Sequence, residues 1–410
     1  MSGLRQKALN LLSSAYFFYE LLSAFRKAGL VGERRNALVV YVGATSRLLD
    51  RPLCLLVKGP SGVGKNLLAD TVLGFLPPSE VQQLTSSSTR SWNYLDENLE
   101  HKVVYVKERN EIAGSVHPTR LLISEKELVH IVTVKKDGEF VTERRVTKGP
   151  IASISTTTQD RVGIDDETRH LSIWADQSPT QTAKIMEATL DDDGGLQPGE
   201  REVWHEVQRL IAKRAANLRI DKPDWIKDIV PHVRNDNLRA RRYFAAYWSA
   251  CKTVALIRSF RSQGQVEQEP TSITVRFTDL AIAALIFGPV FEQSLDRASD
   301  DDLEVRQCVE RLASANGDKA VSARQVALDM GISPDRAYSA LRKALEAGSV
   351  SRANQPAKSN LKLYLPSKSQ PFLPESADLF HKIDGVPTSV KFVHPLTGKW
   401  ITYDSESENE

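Results

Sequence analysis

The chain has 410 residues, of which 41% are hydrophobic and 26% are charged, the composition of an ordinary globular protein. Its formal net charge is only +2, so binding to a polyanion would have to rely on local basic patches. The three cysteines lie far apart and form no Cys-x-x-Cys pair, which argues against a disulfide framework and a zinc site. These features predict a cytoplasmic protein of two or three domains.

No stretch of the chain is predicted to cross a membrane. The most apolar early run, from Leu11 to Phe25, is interrupted by three serines and by Glu20, and it is too short to span a bilayer. It also lacks a cleavage site with small residues, so it does not resemble a signal peptide. We therefore expect no membrane partner.

Short apolar runs alternate with helical segments in the first half of the chain. Because such strands have no polar face, they predict an α/β fold with a parallel sheet covered by helices on both sides. The predicted strands are 53–57, 102–106, 151–155 and 170–175. The predicted domains are N-terminal helices (1–50), a core (51–177), a helical region (178–300), a small domain (303–366) and a final segment with an acidic tail (367–410).

A glycine-rich loop with the pattern Gly-x-x-x-x-Gly-Lys lies between the first predicted strand and the helix after it. In this context the pattern is typical of loops that bind nucleotide phosphates. The glycines let backbone N–H groups point at the phosphates, the helix N-terminus adds a favourable dipole, and Lys65 adds a positive charge. The residues predicted to bind ATP are Gly59, Pro60, Ser61, Gly62, Val63, Gly64, Lys65 and Asn66.

The metal ligands expected beside such a loop are replaced at two positions. Asn66 stands where Ser or Thr usually ligates Mg²⁺, and an amide oxygen binds this metal more weakly. The second predicted strand ends in Lys107-Glu108 in place of the usual Asp-Glu. We predict that Glu108 both ligates Mg²⁺ and activates water, with Glu111 as a less favoured helper. In the threonine run after the third strand, Thr157 is predicted to contact the γ-phosphate.

Two runs of alternating apolar and polar residues, 130–135 and 139–146, flank the dipeptide Asp137-Gly138. Asp-Gly between alternating runs is typical of a tight hairpin turn. The sequence therefore predicts a β-hairpin over residues 130–146, immediately before the third core strand.

Residues 303–366 have the pattern of a winged helix, with three helices followed by a two-stranded wing. This segment contains 10 Lys and Arg against 6 Asp and Glu, a local charge of +4 that suits contacts with DNA phosphates. The third helix begins at Pro334, and in helix-turn-helix domains this helix enters the major groove. Its exposed face is predicted to carry Arg336, Tyr338, Ser339, Arg342 and Lys343, and we predict that Arg336, Arg342 and Lys343 bind DNA. The alternative is a unit for packing or protein docking.

Taken together, the phosphate loop, the strand that ends at Glu108 and the hairpin resemble those of an AAA+ ATPase. More narrowly, residues 34–260 are similar to replicative helicases of the minichromosome-maintenance type, especially the shorter relatives carried with primases on bacterial mobile elements. The resemblance implies a P-loop AAA+ core with a parallel sheet and a β-hairpin before the sensor strand, an α-helical lid and a C-terminal winged helix. The large amino-terminal domain of the full-length helicases is missing.

The resemblance also implies roles for individual residues. Lys135 and Lys136, near the tip of the hairpin, correspond to lysines that touch DNA in the central pore. Arg169 corresponds to the arginine finger, which reaches the ATP of the neighbouring subunit. Arg242, or as second choice Arg241, corresponds to the sensor-two arginine of the lid.

The leading interpretation is an ATP-dependent DNA helicase or translocase that uses ATP and Mg²⁺. It would act as a homo-oligomeric ring, a hexamer, in replication of a mobile element, on single-stranded or forked DNA and with a primase or loader as partner. The main alternative is a winged-helix DNA-binding regulator that ATP switches with little or no hydrolysis. A third is an ATPase that remodels a substrate other than DNA.

Overall fold

The computed structural model describes residues 3–84, 98–109, 113–136, 139–159, 162, 169–190, 195–235, 239–261, 270–296, 300–317, 319–346, 350–353, 362–366 and 371–405. These residues form two compact units. The first contains Met1–Ile229, Phe244–Phe287 and Glu375–Glu410, and the second contains Val230–Tyr243 and Gly288–Pro374.

The first unit is built on a five-stranded parallel sheet with the strand order β2-β3-β6-β1-β7. Its strands are β1 (Cys54–Lys58), β2 (Val81–Leu84), β3 (Val103–Val106), β6 (Ala152–Thr157) and β7 (Leu171–Trp174). Every residue of β1, β3 and β6 is buried, as expected for parallel strands covered on both faces. The mixed α/β fold and its parallel sheet therefore agree with the sequence analysis.

Three helices precede the sheet: α1 (Gly3–Ser13), α2 (Phe17–Lys27) and α3 (Arg34–Thr45). Helix α2 is amphipathic and buries Phe17, Phe25 and its leucines against the body of the unit. The Phe25 ring lies 4.7 Å from that of Phe75, just after α4 (Lys65–Leu73), and the Phe17 ring lies 5.8 Å from Trp204 of α7 (Glu200–Ala215). The first helices are thus part of the core of this unit.

Helix α5 (Ala113–Ser124) and an antiparallel hairpin, β4 (Glu127–Lys136) with β5 (Glu139–Lys148), separate β3 from β6. At the base of the hairpin, Leu128 packs with Val104 of the sheet and Leu122 of α5 in one buried cluster. Farther along the hairpin, Ile131 is 77% exposed. The predicted hairpin is confirmed, with each strand about 30 Å long; its turn, Asp137-Gly138, lies outside the described residues.

Helical segments follow the sheet: α6 (Pro179–Leu190), α7, α8 (Ala240–Arg258) and α9 (Phe277–Asp296), with a 3₁₀ segment over Asp224–His232. Two short parallel strands, β8 (Arg219–Asp221) and β9 (Ser272–Thr274), pair with each other. The first unit also contains α13 (Ser376–Lys382) and a C-terminal hairpin, β13 (Ser389–Val393) and β14 (Trp400–Asp404).

The sequence left the position of the C-terminal segment open, and the structure places its hairpin on the N-terminal helices. The indole N–H of Trp400 donates to the Tyr16 hydroxyl at 2.9 Å, and Arg34 donates to the Leu396 carbonyl at 2.6 Å. Gly398 approaches the Tyr19 ring so closely that a Cβ there would lie 2.9 Å from it. The two ends of the chain therefore pack together within the first unit.

The second unit contains three helices, α10 (Asp300–Ala315), α11 (Ala323–Asp329) and α12 (Pro334–Glu346). They pack beside a three-stranded antiparallel sheet with the order β10 (Val321–Ser322), β12 (Leu363–Pro366), β11 (Val350–Arg352). Ser322 caps α11 in a capping box with Gln325. Val309, Val326 and Leu341, one from each helix, are among the buried residues of the core.

One prediction about membranes needs correction. Within α9, the stretch Phe277–Leu295 is long and apolar enough to cross a bilayer by length and composition. The sequence analysis did not single out this stretch. Since 67% of it is buried inside the protein, it has the character of a core helix.

Candidate functional site

The predicted phosphate loop connects β1, an inner strand of the sheet, to the first turn of α4. Gly62 and Gly64 have φ values of 83° and 93°, in the left-handed region that favours glycine. A Cβ at either position would meet nothing within 4 Å, so this side of the loop faces open space. The backbone N–H groups at the start of the nine-residue helix α4 provide a site for an anion there.

Lys65, the first residue of α4, lies over the loop. Its side chain is buried and its Nζ donates a hydrogen bond to the Pro60 carbonyl at 2.8 Å. Burial lowers the pKa of Lys65, and the nearby Glu108 carboxylate partly opposes this shift. A phosphate oxygen would replace the carbonyl as acceptor and would favour the charged ammonium.

Asn66, Thr156 and Glu108 form one hydrogen-bonded group at the end of the loop. The Thr156 hydroxyl donates to Asn66 Oδ1 at 2.8 Å and accepts from the Glu108 backbone N–H at 3.0 Å. Asn66 Nδ2 lies 3.5 Å from Glu108 Oε1, at the limit of a hydrogen bond. These contacts bring α4, β6 and the end of β3 together around the last loop residue.

Lys107 and Glu108 contact different residues of α4. Lys107 forms an ion pair with Asp70 of α4 at 2.8 Å, whereas the Glu108 side chain faces Asn66. Glu108 adopts a left-handed φ of 49°, which is uncommon for a residue other than glycine. Glu108, rather than Lys107, therefore occupies the place beside the last loop residue.

Arg109, which follows Glu108, turns into the interior. Its backbone N–H donates to the Thr156 carbonyl at 2.7 Å, and Nη1 lies 3.3 Å from Nε2 of the buried His170. The position after Glu108 thus carries no acid that could assist catalysis, and Glu111 lies outside the described residues. Sequence reasoning missed Arg109 and His170, because their contact joins residues that are 61 positions apart in the chain.

Of the two threonines at the end of β6, the structure places Thr156 in contact with the loop residue Asn66. The Thr157 hydroxyl instead donates to the Arg109 carbonyl at 3.3 Å and is buried. Adjacent residues of a strand point to opposite faces, so only one of the pair can face the loop. The predicted contact of Thr157 with a γ-phosphate stays a prediction, and Thr156 is the residue that the sequence analysis passed over.

The residues present fit a magnesium site of modest strength. Mg²⁺ is commonly held by one or two carboxylates together with phosphate oxygens and water. Glu108 supplies a carboxylate and Asn66 an amide oxygen, which Thr156 already partly engages. No group of three or more His, Cys, Asp or Glu side chains suited to a metal occurs among the described residues, so the phosphates would supply much of the coordination.

Arg169 lies at the opposite end of the sheet from its own phosphate loop. Because Leu55 of β1 is paired in parallel with Leu171 of β7, Arg169 is level with the start of β1, about 16 Å along the strand from its end. Its Nε lies 3.3 Å from Ser124 Oγ. An arginine side chain cannot cover that distance, so Arg169 does not serve the phosphate loop of its own chain.

The other predicted residues belong to the distal part of the hairpin and to the second unit. Lys135 and Lys136 are paired with Phe140 and Glu139 in the distal part of the hairpin, and only their backbone is described. Arg242, like Arg241, is exposed near the start of α8 and belongs to the second unit. The structure therefore leaves their roles as predictions.

The cationic face of α12 has the predicted exposure. Ala337, Leu341 and Ala344 are buried in the core, and the opposite face is exposed to solvent. The exposed residues include Arg336, Tyr338, Ser339, Arg342 and Lys343. Lys362, just before β12, contacts the Tyr338 hydroxyl and lies over its ring, which adds a further positive charge beside this face.

Neither a protein-family model nor a curated protein matches this chain. Several solved structures are similar to it. An MCM homolog from Methanopyrus kandleri shares 10% identity with a TM-score of 0.44, over 72% of this chain and 62% of that chain. The chain thus spans less than two thirds of that homolog.

Two further structures show weaker likeness. ORC from Drosophila, bound to DNA, shares 14% identity with a TM-score of 0.28, over 89% of each chain. NtrX from Brucella abortus, in complex with ATP, shares 14% identity with a TM-score of 0.26, over 77% of this chain and 69% of that chain. At these scores we base no conclusion on the likenesses. The fold and the loop themselves define an α/β protein with a glycine-rich loop, of the pattern typical of phosphate binding, between a parallel strand and a helix.

Proposed function

We propose that this chain is an AAA+ ATPase that hydrolyses ATP to move DNA, as a helicase or translocase in the replication of a mobile element. The observation that supports this most directly is the phosphate loop between β1 and α4, with Lys65 over it and Glu108 facing its last residue. The proposal joins this geometry to the sequence resemblance.

In this proposal, different groups of the chain bind the phosphates, activate the water and hold the metal. Loop N–H groups and Lys65 bind the β- and γ-phosphates, and Glu108 orients the attacking water and accepts its proton. Asn66 and Glu108 would hold Mg²⁺, which when bound neutralises charge on the phosphate oxygens. Thr156 holds the Asn66 side chain and the Glu108 backbone, and so keeps these two residues beside each other.

A neighbouring subunit would complete the site. Arg169 lies too far from its own loop to act there, and an arginine finger supplied in trans can accelerate phosphoryl transfer by roughly 10³–10⁵-fold. We therefore propose a homo-oligomeric ring, a hexamer, in which Arg169 of one subunit reaches the ATP of the next. Arg242 would sense the γ-phosphate, and Thr157 stays a candidate for the same role.

DNA would contact two surfaces. The exposed cations of α12 suit phosphate contacts with a duplex, and the hairpin carries Lys135 and Lys136 toward its distal end. A winged-helix role for 303–366 and a pore role for the hairpin are both part of the proposal. A primase or a loader is the expected protein partner.

The decisive test replaces Lys65. Lys65→Ala should reduce ATP turnover at least about a hundredfold, because the charge beside the transferred phosphate is lost. Turnover and unwinding of forked DNA are measured with and without Mg²⁺. Lys184→Ala, which removes an exposed lysine of α6, is the control and should behave as the parent. Normal turnover by Lys65→Ala would show that the site is elsewhere.

The residues at the expected metal-ligand positions favour a second function. Asn66 replaces a hydroxyl, Lys107 is tied to Asp70, and Glu108 is the one carboxylate that contacts the loop among the described residues. These features suit a DNA-binding regulator in which bound ATP controls assembly with little hydrolysis. Strand displacement on forked DNA separates the two: the regulator would bind DNA in response to ATP but displace no strand.

A further inference from the structure

A second cavity lies in the first unit, away from the phosphate loop. It has a volume of about 1110 Å³, which is large enough for a small-molecule ligand or a nucleotide. Its walls come from the end of α8, from β9 and the residues after it, from the turn around Trp225, and from the C-terminal hairpin β13–β14. Neither the sequence motifs nor the proposed ATPase mechanism uses this cavity.

The charged residues that line the cavity are all cationic. They are Arg258, Arg261, Arg276 and Lys391, and no carboxylate is among the described lining residues. Such a concentration is not a consequence of overall charge, since the whole chain carries a formal charge of only +2. The cavity therefore differs in charge from the protein that surrounds it.

Within the described residues, Arg258 is the one of these cations that forms an ion pair with a carboxylate. Arg258 donates to the fully buried Asp279 through Nε at 2.7 Å and Nη2 at 2.9 Å. Asp279 also accepts from the Arg276 backbone N–H at 2.8 Å, which leaves it little capacity for a further guanidinium. The ion pair thus supports the wall of the cavity, and the charge of Asp279 acts on the other two arginines without an ion pair to either.

Arg261 and Arg276 form no ion pair within the described part of the chain. The Nε of Arg261 is buried and has no hydrogen-bond partner there. Among the acids, Asp279 has the largest effect on the pKa of Arg261 and raises it, and Glu20, which accepts a hydrogen bond from Ser14 at 2.7 Å, raises it less. Burial lowers the pKa of both Arg261 and Arg276, and the charge of Arg258 adds to this effect. An anion between the two guanidinium groups would relieve both effects.

Aromatic side chains line the same cavity. Trp225 is half-buried, Trp400 is 49% exposed, and Phe392 of β13 is a further aromatic residue of the wall. Lys391 lies 4.9 Å from the centre of the Trp400 ring. Arginines that bind phosphate beside tryptophans that offer a flat apolar face are the combination that recognises a nucleobase with its phosphate. An acidic peptide would use the arginines but not the aromatic faces.

We propose that this cavity is a second nucleotide site, which binds a nucleoside phosphate, either free or as part of a single strand. Arg261 and Arg276 bind the phosphate, and Trp225 or Trp400 stacks on the base. This site is separate from the phosphate loop and does not depend on ATP hydrolysis there.

The test uses the full chain with Lys65→Ala, so that the phosphate loop contributes little binding. Two probes, AMP and a single-stranded hexamer of deoxyadenylate, are titrated by calorimetry. Arg261→Gln/Arg276→Gln should weaken binding about tenfold or more, because charge-assisted hydrogen bonds are lost. Arg201→Gln, an exposed arginine of α7 outside the cavity, is the matched control and should bind both probes as the parent does.

The pattern of loss identifies the source of the ligand. Weaker binding of AMP alone indicates a free nucleotide, and weaker binding of the hexamer alone indicates a strand; either result supports the site. Affinity equal to the control for both probes overturns it. If the glutamine variant does not fold, Arg261→Lys/Arg276→Lys replaces it. This pair should bind at least one probe more weakly than the control, because a lysine cannot form the bidentate contact of a guanidinium; affinity equal to the control for both probes again overturns the site.

Discussion

Asn66 lies at the last position of the phosphate loop, where its amide contacts both Thr156 and Glu108. The amide oxygen accepts a hydrogen bond from Thr156, so a metal there would have to share this oxygen with the hydroxyl. In the proposed magnesium site, the affinity for the metal would therefore depend on Asn66, a residue that departs from the usual motif.

Asn66→Thr restores a hydroxyl at this position. We expect the Mg²⁺ concentration for half-maximal ATP turnover to fall about tenfold, because a hydroxyl is the usual ligand there. Asn66→Ala, which removes the side-chain oxygen, should raise the same concentration. The measurement is turnover against Mg²⁺ at saturating ATP. Identical Mg²⁺ requirements in all three proteins would exclude residue 66 as a metal ligand.

Substitutions of the adjacent residues Thr156 and Thr157 should affect ATP turnover to different extents. Thr156→Val keeps the shape but leaves the Glu108 backbone N–H without its acceptor, at a cost of about 1–3 kcal/mol. We expect ATP turnover to fall about tenfold or more, since Glu108 and Asn66 lose their common partner. Thr157→Val removes one bond to the Arg109 carbonyl and should have the smaller effect. The opposite order would support the γ-phosphate contact predicted for Thr157.

At the scale of elements, the hairpin β4–β5 is anchored at its base and exposed farther out. Leu128 packs in a buried cluster with Leu122 and Val104, whereas Ile131 is largely exposed. Among the described residues, β4 and β5 form a separate two-stranded sheet. A hairpin that is anchored at its base is suited to hold a DNA contact at its distal end.

Lys135→Ala/Lys136→Ala tests this element. If these lysines grip DNA, the double variant should lose at least about nine tenths of the unwinding rate, because both phosphate contacts are removed. Turnover without DNA is measured beside it to show that the phosphate loop is intact. Lys184→Ala/Arg201→Ala removes two exposed cations elsewhere and should unwind normally. Unwinding at the parent rate by both variants would remove the hairpin from the mechanism.

At the scale of the whole molecule, the sheet separates two groups that the proposed mechanism needs at one phosphate. The loop lies at the carboxyl end of β1 and Arg169 at the amino end of the neighbouring β7. Since both strands run in the same direction, a single chain cannot bring these groups together. Assembly with a second copy would do so.

Mixing defective subunits tests this arrangement. Arg169→Ala and Glu108→Gln should each be inactive alone, but their mixture should recover part of the turnover. Recovery is expected because some sites would combine Glu108 of one subunit with Arg169 of the next. Lys65→Ala mixed with Glu108→Gln is the control, since every site would then carry a defect. If the first mixture recovers no more activity than the control, the shared site is contradicted.

The sequence by itself determined the parts of this protein that depend on local pattern. Fully apolar strands predicted the parallel sheet, Asp-Gly between alternating runs predicted the hairpin, and glycine spacing with Lys65 predicted the loop. The cationic face of α12 followed from helical periodicity. In each case the signal lies within about ten residues of chain, where backbone geometry and burial act directly on residue type.

Tertiary structure decided what depends on the direction of single side chains and on distant contacts. The left-handed turn at Glu108 sets its carboxylate on Asn66 and leaves Lys107 to Asp70, and strand parity selects Thr156 over Thr157. The second cavity joins residues from Trp225 to Trp400, which no local pattern connects. Periodicity fixes which residues are buried, but only the packed chain fixes which atoms meet.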